Sequence, residues 1–71
     1  MTGKWHKANL EDIVNILNKN EVNYQEWFNN DNREIRVCVD ELDNETKEEL
    51  FFKTNLIPDE LEKFDYLIFW F

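Results

Sequence analysis

Leu10, Ile13, Val14 and Leu17 recur at intervals of three and four residues, which is one face of a helix. Asn9 precedes them as an N-cap, and Asp12 stands at the third helical position as a partial capping box. Lys19 suits the C-terminal end and Asn20 can close it, so the pattern predicts a helix over residues 10–19. The period then changes from 3.6 to 2. Val22, Tyr24, Glu26 and Phe28 alternate with Asn23, Gln25 and Trp27. After the turn-forming Asn29-Asn30-Asp31-Asn32, Ile35, Val37 and Val39 alternate with Glu34, Arg36, Cys38 and Asp40. Residues 22–40 are most simply a hairpin.

Beyond Asp40 the periodicity weakens. Asp43-Asn44-Glu45-Thr46 is a second turn candidate, and Leu50 and Phe52 share a face if residues 48–54 are extended. A third strand completing an antiparallel meander is the expectation. A short helix capped by Asn44 is the alternative, and neither charge nor propensity separates the two. Pro58-Asp59-Glu60 starts a short helix, with proline at its first position and acids in its first turn, and Ile57, Leu61 and Phe64 on one face. Tyr66 to Phe71 has no polar face, and its aromatic and β-branched content predicts a final buried strand.

The expected architecture is therefore α+β: an N-terminal helix, a three-stranded antiparallel meander, a short C-terminal helix and a last strand. The expected core is Leu10, Ile13, Val14, Leu17, Ile35, Val37, Val39, Leu61, Phe64 and Ile68. Adjacent large residues complicate it. Trp27 beside Phe28, Phe51 beside Phe52, and Phe69-Trp70-Phe71 place bulky apolar groups on both faces of a strand. Either helices cover both faces, or a second chain covers one.

At 71 residues the chain builds one small domain, residues 1–71, with residues 1–8 expected to fray. Eleven aromatic side chains argue for a folded core over an acidic disordered tail. One cysteine, Cys38, excludes an internal disulfide and favours the reducing cytoplasm. The basic start lacks the apolar run of a signal peptide, and Leu67–Phe71, the longest apolar run, is far short of a membrane span.

The chemistry-bearing residues are sparse. His6 is the sole histidine and lies in a basic segment, so metal ligation and general-base catalysis lack partners. Cys38 falls on the strand face opposite Ile35, Val37 and Val39 and reads as a small semi-buried hydrophobe. Asp40 to Glu45 superficially resembles a calcium loop, but it lacks the central glycine, and Phe51 occupies the twelfth position where a bidentate glutamate is required. No enzyme, cofactor or metal is expected.

Charge supplies the remaining signal. Sixteen acids against eight bases give a net charge of −8, which argues against direct nucleic-acid binding. The acids concentrate between Asp40 and Glu60, where residues 41–60 alone carry −5. They are interleaved with Leu42, Leu50, Phe51 and Phe52. Asp40, Glu41, Asp43, Glu45, Glu48, Glu49, Phe51, Phe52, Asp59 and Glu60 thus form the expected partner surface, with carboxylates steering and aromatics anchoring. The expected function is a non-enzymatic inhibitor or regulator that occludes a basic surface of a nuclease or other nucleic-acid-binding protein, as phage anti-defence proteins that mimic DNA do. The alternative is a small assembly subunit, a homodimer or part of a larger complex, joined through its aromatic face.

Overall fold

In the computed structural model, which describes residues 3–29 and 32–71, helix α1 occupies Leu10–Lys19 as the periodicity predicts. Asn9 caps it, its side chain accepting the Glu11 N–H at 3.0 Å. At the other end Asn20 donates from Nδ2 to the Ile16 carbonyl at 2.8 Å, and Glu21 turns the chain with a φ of 57°. Strands β2 (Gln25–Asn29) and β3 (Asn32–Cys38) form the expected antiparallel hairpin, with Asn29 opposite Asn32. The tip of the expected turn, residues 30 and 31, lies outside the described residues.

Two corrections follow. The first concerns residues 48–54, expected to be a strand. They belong to helix α2 (Asn44–Thr54), which starts where a turn was expected. Its cap is Asp43 and not Asn44, the Asp43 carboxylate accepting the Thr46 N–H at 2.7 Å. Thr46 and Leu50, four apart, are both fully buried, so a single turn-to-turn stripe anchors the helix. Asn55 closes it in the left-handed conformation at φ 63°, donating its N–H to the Phe51 carbonyl at 2.8 Å. The Glu and Lys residues of this segment and the caps at its ends are compatible with a helix, and the burial of Leu50 in the core shared with α1 and the central strands decides against the β-propensity of two phenylalanines.

The second correction concerns the start of the chain. Gly3–Lys7, expected to fray, form strand β1. It pairs in parallel with β4 (Tyr66–Trp70), the last strand, which the sequence did predict. The sheet is therefore four-stranded and mixed, in the order β1-β4-β3-β2, in place of a three-stranded meander. A 3-10 turn at Val39–Glu41 and helix α3 (Pro58–Leu61), with Pro58 in its first turn, complete the α+β fold.

Helices α1 and α2 pack on each other over one face of the sheet. Leu10, Ile13, Ile16 and Leu17 from α1, Leu50 from α2 and Leu61 from α3 share one cluster with Ile35, Val37, Leu67 and Phe69 from the central strands. Val14 and Phe64, expected in the core, are half-buried at its edge. Ile68 is buried but outside that cluster, because alternation turns it to the other face.

Candidate functional site

The two faces of the sheet lead to two different surfaces. The helices and the 3-10 turn carry the acids, and the turn's Asp40 and Glu41 border hollows at the Cys38 end of the open sheet face. Asp40 and Glu41 are exposed on the 3-10 turn, and Asp43, Glu45 and Glu48 are exposed on α2. Asp59 and Glu60 are exposed in the first turn of α3. Glu45, Glu48 and Phe52 fall at i, i+3 and i+7 on α2, one outward stripe opposite the buried Thr46 and Leu50. Phe52 is 81% exposed, and its ring meets that of Phe51 edge to face at 5.9 Å. Glu49 differs from the rest. It is half-buried, pairs with Lys19 of α1 at 3.4 Å and accepts from Asn20 at 3.4 Å, so it joins the two helices.

Asp43 is a structural carboxylate as well. Its neighbour Thr46 holds its pKa below the ordinary 3.8. Only the N–H meets full hydrogen-bond geometry. The Thr46 Oγ1 is buried without a partner, so the backbone bond is the one that carries the cap.

The opposite face of the sheet is crossed by no helix among the described residues; sequence reasoning offered an aromatic face as an alternative joining surface but assigned none of this face's residues to a site. Strand alternation places Trp5 and Lys7 of β1, Tyr66, Ile68 and Trp70 of β4, Glu34, Arg36 and Cys38 of β3, and Gln25 and Trp27 of β2 on it. All three tryptophans of the chain stand here, 53%, 52% and 39% exposed at Trp5, Trp27 and Trp70. The Arg36 guanidinium lies over the Trp27 ring at 5.7 Å, and the Lys7 ammonium over Trp70 at 5.4 Å. Each is within cation–π range. Lys7, Glu34 and Arg36 are the charged residues that alternation puts on this face, and Asp40 and Glu41 of the 3-10 turn border it at the Cys38 end. The signal for this surface was legible in Trp27 beside Phe28 and in Phe69-Trp70-Phe71. Trp5 was hidden by the basic residues around it.

The reactive side chains stand apart. His6 alternates to the helical face, where Nε2 donates to the Thr54 carbonyl at 3.0 Å and ties β1 to the end of α2. A carbonyl only accepts, so Nε2 carries the proton in this contact. Cys38 lies on the opposite face, half-buried in a hollow with Asp40, Asp65 and Tyr66. The sheet thus separates the thiol from the imidazole. Among the described residues no three His, Cys, Asp or Glu side chains are placed to share a metal ion, and no helix is long and apolar enough to cross a membrane.

Comparison of the chain with protein-family models, with curated proteins and with solved structures finds no match.

Proposed function

We propose that this protein is a non-enzymatic inhibitor or regulator that lays its acidic helical side on a basic, nucleic-acid-binding surface of another protein in the cytoplasm. The observation that supports this reading is the stripe on α2, where Glu45 and Glu48 run into the exposed ring of Phe52. Carboxylates spaced along a rigid helix stand in for phosphates, attract a cationic groove over distance and keep wrong partners off. An aromatic ring beside them enters a pocket and supplies most of the affinity. Phage proteins that disarm nucleases and defence systems by mimicking DNA form the class to which this arrangement fits best. Like charges on one helix repel, and a cationic partner offsets that cost.

The test is capture of basic proteins from the native host's cytoplasm on the immobilised chain, with DNA as competitor. The parent chain retains a nucleic-acid-binding protein that DNA displaces, and retention falls steeply with salt. The variant Glu45→Gln/Glu48→Gln/Phe52→Ala loses it, while Glu49 is left intact because it joins the helices. Equal retention by that variant, or retention insensitive to DNA, overturns the reading.

A further inference from the structure

We infer that the open face of the sheet is a self-association surface, and that two copies of the chain stack sheet to sheet about a two-fold axis. The inference is independent of what the acidic side binds. It starts from the register. The strand pairings align the open face in two neighbouring rungs. The first reads Trp27, Glu34, Trp70, Lys7 across β2, β3, β4 and β1, and the second reads Gln25, Arg36, Ile68, Trp5 across the same strands.

The two rungs are complementary, strand by strand. A two-fold axis lying in the interface, across the strands and between the rungs, sets the first rung of each copy over the second rung of the other. Glu34 then faces the partner's Arg36, and Lys7 faces the ring of the partner's Trp5. Trp70 lies over the partner's Ile68, and Trp27 over the partner's Gln25. Every contact occurs twice, as an isologous interface requires. Stacked sheets stand about 10 Å apart, which leaves room for indole rings to interdigitate.

Three features of the single chain support this occupant over a foreign one. The face holds both signs of charge, in adjacent positions of one strand, which a copy of itself satisfies. The Arg36 guanidinium is already held on this face, over the Trp27 ring at 5.7 Å, where a partner's carboxylate can meet it. The exposed Glu45 and Glu48 of α2 lie on the helical side, so stacking through the sheets turns the two α2 surfaces away from each other. A dimer stacked through the helices would press them together. Tryptophan, tyrosine and arginine are also the residues that concentrate binding energy at interfaces, and an uncovered patch of them marks one.

The experiment measures mass in solution by sedimentation equilibrium with the full chain. The parent is expected as a dimer, dissociating on dilution with a red shift of tryptophan emission. Arg36→Glu makes the face doubly acidic in each copy and Glu34→Arg makes it doubly basic. Each alone is expected to weaken its own dimer about tenfold or more. Mixed together they restore both cross-pairs and form a heterodimer. Circular dichroism checks that each variant is folded, and Lys7→Glu on the edge strand replaces either that is not, with weakened dimerisation again expected. A parent that stays a single chain at every concentration overturns the proposal. So does a parent dimer that the folded variants leave unchanged, and so does a mixture of the two charge variants that fails to associate.

Discussion

The Asp43 carboxylate accepts the Thr46 N–H at 2.7 Å, and this one contact marks where the chain leaves extended structure and begins helix α2. It satisfies one of the backbone donors that a helix start leaves open and places a negative charge at the positive end of the helix dipole.

That cap makes stability sensitive to acid. The pKa of Asp43 is lowered in the folded chain by its contact with Thr46. A carboxylate with a depressed folded pKa adds stability that is full above its unfolded value, near 3.9. The contribution fades as pH falls through the folded value. Asp43→Asn keeps a capping oxygen but no charge. Thermal unfolding followed from neutral pH down through pH 4 to 3 should show the gap between parent and variant closing. A gap that is constant across that range contradicts the assignment.

Thr46→Val probes the same corner from inside. The Thr46 hydroxyl oxygen is buried without a partner, and burying an unpaired hydroxyl costs roughly 1–3 kcal/mol. Replacing it with a methyl of similar size should leave stability unchanged or raise it by about 1 kcal/mol in denaturant unfolding. A loss of that size, accompanied by a rise in the Asp43 pKa, would show that the hydroxyl is bonded to the carboxylate after all.

Leu50 and Phe52 separate the helical from the extended reading of residues 48–54. In a strand they share a face and would matter alike. On α2 they point apart, Leu50 fully buried and Phe52 81% exposed. Leu50→Ala should cost about 2–5 kcal/mol, and Phe52→Ala should stay within about 0.5 kcal/mol of the parent. Comparable losses at the two positions would mean that the segment is not this helix.

How much of the surface was legible depends on where its signal was written. The acids between Asp40 and Glu60 fall within one segment of the sequence, so their clustering could be read directly, and most of them are exposed. Glu49 was not separable from its neighbours, because its partner Lys19 is 30 residues away on another helix. The open face could not be assembled at all. Trp5, Trp27 and Trp70 are far apart along the chain and meet only through the register of four strands.

The sequence by itself determined what local forces decide. Helix α1 has an apolar stripe, a cap and an end signal within about a dozen residues. Strand β3 has strict alternation, and α3 has a proline at its start. Each of these patterns carries its own periodicity or cap, so no distant contact is needed to read it. Only the tertiary structure decided the rest. Helix α2 has three consecutive apolar residues, Leu50, Phe51 and Phe52, which fit either period. The choice fell to the burial of Leu50 in the core it shares with α1 and the sheet, with Thr46 buried one turn before it. Strand β1 has lysines on either side of its tryptophan and no local pattern. It exists as a strand because β4, more than sixty positions along, offers its backbone a ladder and Thr54 offers His6 a carbonyl. Backbone pairing is blind to side-chain type, so a strand held by its neighbour's hydrogen bonds can leave little trace in its own residues.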